Sequence, residues 1–288
     1  MDIMQYFLSE DGKFRFVVCK TEKTVNKIRE IHKMSYPVTN AVSRFVTAAV
    51  LVSSNLKSGD VQGFYLDVNG PIGGIRCEIN SYGHVKGYAL YPQSGVDEID
   101  KNYVMDLPQL LGSGMLTVTK IMARGKTPFV STVPYPGGSL ALLFADYLNR
   151  SEQIKSAVMV SNFIKPDGVI ELCGGILVQA MPDAKEKDIE EMEKYIEKLP
   201  PLSEILKQTD NPKEMVLLSF PHYKPFMVGE RHLVFKCTCS REKVLKVLKA
   251  LNEEDRKSLL LEDGTYKVVC EYCKKEYIVS AEEVEKFS

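Results

Sequence analysis

The stretch Phe235-Lys236-Cys237-Thr238-Cys239-Ser240, answered after thirty further residues by Cys270-Glu271-Tyr272-Cys273, decides how this chain is read. Two close cysteine pairs separated by roughly one helix and one strand have the spacing of a four-thiolate zinc site. Cys237, Cys239, Cys270 and Cys273 are therefore the candidate metal ligands. A two-residue spacer lets one turn aim Cys270 and Cys273 at a single ion. The one-residue spacer between Cys237 and Cys239 does so only where the backbone kinks. Thiolate is also the form that oxidants attack, so the same four sulfurs can hold a metal or close into disulfides. An extended span from residue i to i+2 covers about 7 Å, at the edge of disulfide reach. A Cys237–Cys239 bond then needs backbone rearrangement and is easily reduced. Zinc binding by small modules is worth ~10–16 kcal/mol and is folding energy there, so oxidising the ligands predicts loss of both metal and fold.

Working outward, the module begins near Leu233. Ser240 can cap a helix from Arg241 to about Leu251, with Val244, Leu245, Val247 and Leu248 apolar, and residues 255–261 continue it. Asp263-Gly264 reads as a turn, and Tyr266–Val269 and Tyr277–Val279 as a short hairpin. About fifty residues are too few for a robust core without a staple.

Upstream, composition changes at Met181-Pro182-Asp183. Asp183 with Glu186 has the pattern of a capping box, and Pro200-Pro201 ends the helix. Its apolar stripe is narrow (Ile189, Met192, Ile196, Leu199), set among Lys, Glu and Asp. A few partly covered side chains at roughly 25 cal/mol per Å² set against about 1–2 kcal/mol of backbone entropy per residue predict a marginal segment that depends on its neighbours. Short elements broken at Pro212, Pro221 and Pro225 follow to residue 232.

Residues 1–181 read as one mixed body. A hairpin turns at Asp11-Gly12, with Phe14, Phe16 and Val18 on one face. Asn40 is the expected cap of a helix running to about Leu56. Strands are expected over Val61–Val68, Gly74–Ile79 and Val85–Leu90, with turns at Asn69-Gly70 and Tyr82-Gly83. A second strand set lies within Met115–Val133, a helix over Ser139–Arg150, and strands over Ala157–Phe163 and Val169–Val178. Strands in runs with helices set apart favour α+β: a mixed, antiparallel-rich core, a charged helical linker and a small C-terminal zinc-binding module.

Composition narrows the function. The 288 residues are 44% hydrophobic and 26% charged, with net charge −1, which gives whole-chain electrostatics no pull on nucleic acid or anionic membrane. No apolar run reaches the ~20 residues of a membrane helix. Seven cysteines without a signal-like start imply a reducing compartment, and a cytoplasmic location is expected. Asn149-Arg150-Ser151 is read as a chance glycosylation match. Cys19, Cys77 and Cys173 are expected as buried small hydrophobes, and His222 and His232 as solvated. Gly112-Ser113-Gly114 lacks the rest of a phosphate loop and is read as a turn. No nucleophile elbow, HExxH or Walker pattern occurs, so no catalytic residues and no enzyme activity are expected. The alternatives are a nucleic-acid-binding protein with a structural ribbon and a thiol–disulfide oxidoreductase using Cys270 and Cys273. Eleven acidic against ten basic residues from Cys237 onward leave no basic face for the first. No strand–CxxC–helix context supports the second.

The chain resembles the redox-regulated 33-kilodalton heat-shock chaperone family across essentially its full length. The resemblance is carried by Phe235–Glu242, Glu262-Asp263-Gly264, Cys270-Glu271-Tyr272-Cys273 and Tyr277 in the module. In the body it is carried by Leu56-Lys57, Asn69-Gly70-Pro71, the run Tyr147–Gln153 and the run Gly174–Pro182. It implies an ATP-independent holdase that binds no nucleotide, no nucleic acid and no membrane. The reduced form would hold one zinc ion through the four cysteines and be inactive. Oxidation would form Cys237–Cys239 and Cys270–Cys273 disulfides, release zinc, unfold the linker, and produce a homodimer that binds unfolding client proteins. The implied division is a client-binding and dimerisation core over 1–181, a linker over 182–232 and a switch domain over 233–288. The run Ser219–Phe226 departs from the family pattern in being richer in proline and less acidic.

Overall fold

A computed structural model describes residues 1–96, 105–123, 125 and 127–287. It forms two compact units, Met1–Phe235 and a second beginning at Lys236.

In the first unit, β1 (Asp2–Leu8) and β2 (Phe14–Lys20) make the expected hairpin, and α1 (Glu22–His32) follows. Helix α2 (Tyr36–Val52) starts four residues before the expected cap. Ser35 Oγ accepts from the Val38 N–H and Pro37 sits in the first turn, a strong start signal that outranks Asn40. Asn40 instead lies inside the helix, where its side-chain oxygen accepts from Arg44 Nε at 3.0 Å. Strands β3 (Val61–Val68), β4 (Gly74–Asn80) and β5 (His84–Ala89) form a meander. The short α3 (Leu107–Leu111) precedes β6 (Gly114–Ile121) and β7 (Phe129–Tyr135). Residues 124 and 126, within the expected second strand set, lie outside the described residues. Ser139 caps α4 (Leu140–Tyr147), and the antiparallel pair β8 (Ser156–Ile164) and β9 (Ile170–Ala180) completes the body.

Three helices come next: α5 (Glu186–Ile196), α6 (Leu202–Gln208) and α7 (Pro212–Ser219). The capping interaction of α5 falls two residues beyond the expected one: Asp188 Oδ2 accepts from the Lys185 N–H at 2.9 Å. The run then returns to the sheet as β10 (Phe226–Phe235).

The ten strands form one sheet in the order β7-β6-β3-β4-β5-β10-β1-β2-β9-β8. Every neighbouring pair is antiparallel except β5 and β10, which run parallel and meet only at Val234↔His84 and Phe235↔Val85. The two halves of the sheet are thus sewn together by two residue pairs. Gly83 permits that seam: its φ is +77°, and a Cβ there would lie 1.9 Å from the His232 carbonyl oxygen.

One face of the sheet carries α1, α2 and α4 over the main core, with Phe45, Phe64 and Phe144 fully buried. The opposite face of β1, β2 and β9 presents Phe7, Phe14, Phe16, Val18, Ile176 and Val178 to α5–α7. The alternation of β2 read from sequence holds here. Helix α5 buries only Met192 completely, consistent with its narrow stripe. Helices α6 and α7 add Leu202, Ile205, Leu206, Met215 and Val216, and Phe220 follows them. Gly174 and Gly175 let layers approach from both sides, since a Cβ on Gly175 would meet Leu51 Cδ1 at 2.8 Å and one on Gly174 would meet Leu206 Cδ2 at 3.3 Å. Ion pairs fasten the edges of the helical layer: Lys13 to Asp188 at 2.7 Å, and Lys20 to Asp210.

In the second unit, Ser240 caps α8 (Arg241–Ala250) as expected, and α9 (Glu253–Ser258) is a separate helix with its own cap, Asn252. The hairpin β11 (Thr265–Val269) and β12 (Glu276–Ser280) leads to α10 (Ala281–Lys286). Val244, Leu245, Leu248, Tyr266, Tyr277, Val279 and Val284 form its small core, whereas Val247 faces solvent.

Candidate metal centre

Two turns bring the four cysteines together. The first is the segment 237–239 just ahead of α8, where Lys243 Nζ donates to the Thr238 carbonyl at 2.8 Å and Ser240 Oγ accepts from the Lys243 N–H. The second is the tip of the β11–β12 hairpin, where the Lys274 N–H donates to the Cys270 carbonyl at 2.8 Å and the Cys270 N–H to the Lys275 carbonyl at 3.0 Å. Lys274 takes the left-handed conformation there, φ 56°, which closes the turn and aims both sulfurs inward.

Cys237 Sγ lies 3.6 Å from Cys270 Sγ, Cys239 Sγ lies 3.4 Å from Cys273 Sγ, and all four sulfurs fall within 4.8 Å of one another. Four ligands at ~2.3 Å around a tetrahedral zinc ion stand about 3.8 Å apart. The donor set therefore fits one ion in both number and spacing. All four cysteines are free thiols and half-buried.

The electrostatics favour a cation. Burial pushes the Cys237 thiol up to about 12 and raises Cys273 as well. Burial also works against ionising Cys239, but the Tyr277 hydroxyl, which donates to its sulfur at 3.1 Å, and the neighbouring thiols outweigh it and draw it down to about 7. One sulfur thus ionises near neutrality, while four ionised sulfurs at these separations would repel unless a cation neutralised them. Tyr277 is the residue that sequence reasoning missed as a partner of the cluster, although it stands among the residues that carry the family resemblance.

The other sequence-predicted groups stand apart from this centre. Cys19, Cys77 and Cys173 are fully buried, and burial raises all three thiols, Cys173 to about 11, which leaves them inert. His222 and His232 are exposed. Cys270 and Cys273 occupy a hairpin tip rather than a helix N-terminus, so the site lacks the geometry of a thioredoxin-type dithiol. Among the described residues no helix is long and apolar enough to cross a membrane.

A mixed α+β body followed by a small module with a four-sulfur centre defines the class: a chaperone of the Hsp33 type. The family model described as Hsp33 protein matches residues 2–280, and the chain belongs to that family. A 33 kDa chaperonin of Levilactobacillus brevis is 32% identical over 98% of this chain and 96% of its own length. One of Thermus thermophilus is 32% identical over 96% of this chain and 84% of its own. The crystal structure of the 33 kDa chaperonin (heat shock protein 33 homolog) of Thermotoga maritima superposes with a TM-score of 0.83 at 29% identity, covering 99% of this chain and 97% of that one.

Proposed function

We propose that this chain is a redox-regulated, ATP-independent holdase of the cytoplasm whose switch is the four-cysteine centre. The observation that carries the proposal is the convergence of Cys237, Cys239, Cys270 and Cys273 within 4.8 Å on a module with a core of only a few side chains. In the reduced state these sulfurs hold one zinc ion, which when bound cross-links the start of α8 to the β11–β12 hairpin. Peroxide oxidises neighbouring thiols: two thiols and one hydrogen peroxide give one disulfide and two waters. With Cys237–Cys239 and Cys270–Cys273 both closed, no thiolate is left to bind the ion, and the module loses its staple.

We infer a core over 1–181, a linker over 182–232 and a switch over 233–288, with β10 (Phe226–Phe235) at the junction of the last two kept in the sheet of the first unit. The linker's helices cover an apolar sheet face, and its ordering is the marginal element of the fold. Freed of it, Phe7, Phe14, Phe16, Val18, Ile176 and Val178 offer unfolding clients a continuous apolar surface, and a second copy of the chain a dimerisation surface. No nucleotide, nucleic acid or membrane takes part.

The test measures zinc release and suppression of client aggregation in parallel, before and after peroxide with mild heat. One zinc per chain and no suppression are expected of the reduced protein, with release and suppression appearing together on oxidation. Release of zinc without suppression would sink the proposal.

A further inference from the structure

At the far end of α2 two arginines share one tyrosine and no acid. Arg15 on β2 and Arg231 on β10 place their guanidinium carbons 5.3 and 5.9 Å from the centre of the Tyr6 ring. Gly229, the partner of Tyr6 across the β1–β10 ladder, makes room for the ring: a Cβ there would touch it at 3.5 Å.

All the hydrogen-bond acceptors of these guanidiniums are neutral. Arg15 Nη1 donates to Asn55 Oδ1 at 2.6 Å, Gln179 Oε1 at 2.8 Å and Ser54 Oγ at 3.3 Å, and its Nη2 to the Ser54 carbonyl at 3.5 Å. Arg231 Nη2 donates to the Leu56 carbonyl at 3.2 Å. Among the described residues no carboxylate forms an ion pair with either arginine. The C-terminal end of α2 supplies about half a negative charge. Two full cations face it, so roughly one and a half positive charges stay uncompensated. Burial first, and then the charge of Arg231, work against the Arg15 cation.

Two buried donors are also left over. Arg231 Nη1 and Tyr6 Oη have no hydrogen-bond partner, although neither is open to solvent. Leaving such donors unmade is costly, more so for a charged group. A single oxyanion would meet all of these requirements, because it brings negative charge and several acceptor lone pairs together, and guanidinium matches its geometry.

We propose that Arg15, Arg231 and Tyr6 form a binding site for a small oxyanion of the phosphate class. The site is separate from the cysteine centre and owes nothing to the redox reading. The site borders solvent at its Arg15–Asn55 end, beside the turn that ends α2.

The experiment titrates inorganic phosphate into the reduced full-length protein by calorimetry, with sodium chloride at matched ionic strength as control, and follows Tm over the same range. Saturable binding and a Tm that climbs with phosphate are expected of the wild type. Arg231→Met keeps the length of the side chain and removes its charge; it should weaken binding by about tenfold or more and flatten the dependence of Tm on phosphate. Tyr6→Phe removes only the orphan hydroxyl, should weaken binding severalfold, and decides the matter alone if Arg231→Met does not fold. A purely structural pair would instead give an Arg231→Met protein of lower Tm with no phosphate dependence in either form. That result, or wild-type binding in both variants, overturns the site.

Discussion

Replacing Phe220 by alanine should open the helical layer without any oxidant. Phe220 is fully buried, with ring centres of Phe16, Tyr195 and Tyr223 at 4.7, 5.8 and 6.3 Å. It therefore joins the sheet face to α5 and to the turn after α7, and the nearby Tyr195 hydroxyl donates to the Ser219 carbonyl at 3.0 Å. Truncating a buried phenylalanine costs about 3–5 kcal/mol. The loss falls on the closed state, because in the open state the ring is already solvated. At 1.4 kcal/mol per tenfold, the open population rises by roughly two to three and a half orders of magnitude. Hydrogen exchange on the reduced, metal-loaded variant should show amides of α5–α7 exchanging faster than those of β3 and β4, together with suppression of client aggregation before any peroxide is added. Leu217→Ala is the control: that side chain is 40% exposed, and its loss should move stability by less than about 0.5 kcal/mol. If the layer and β3–β4 exchange at one common rate in Phe220→Ala, the layer is no independent unit and the reasoning fails. If the layer opens and clients still aggregate, the covered face is not where they bind.

Three further predictions concern the cysteine centre and one buried acid. Cys270→Ser should abolish stoichiometric metal by elemental analysis and strip β11–β12 of exchange protection, while disulfide mapping of the peroxide-treated wild type should give 237–239 and 270–273; the spatially close alternatives 237–270 and 239–273 would refute the assigned pairing. Glu22 is 7% exposed, accepts the Cys173 N–H at 3.2 Å through one oxygen and leaves the other without a partner. Burial pushes its pKa up to about 7, against the weaker pull of its own and the Cys173 N–H groups and of Lys20. The folded chain therefore keeps this proton up to about pH 7, whereas the unfolded chain releases it near 4.5. Stability contributed by the proton is complete below pH 4.5 and falls as pH rises to 7, by at most about 3 kcal/mol. Glu22→Gln should flatten that slope and exceed wild type in urea unfolding at pH 8; parallel curves from pH 4.5 to 8 would exclude the effect.

The strands over Val61–Val68, the β1–β2 hairpin and the capped helix α8 were legible because each is written in local signals: alternation, a glycine turn, a serine ahead of an apolar stripe. Helix α1 was not. It buries Val25, Ile28 and little else that is apolar, too sparse a pattern to rise above its lysines and glutamates. Nor was the seam between β5 and β10, because strands some 150 residues apart pair through backbone groups that every sequence offers. The convergence of the four cysteines was legible from spacing alone. The Tyr277 hydroxyl on Cys239 was not, since it depends on the register of β12 against β11. The anion site needed three strands and the end of a helix to converge, and no sequence window holds them together.

The helical layer is moored at both ends, by β9 at Ala180 and by β10 from Phe226 onward, each a strand laced into the sheet. Residues 181–225 can peel away only as a closed loop, and resealing is a unimolecular event whose entropy grows slowly with loop length. If clients bind as proposed, a guest beneath the layer would compete with a lid that stays tethered, and re-closure itself would favour its departure.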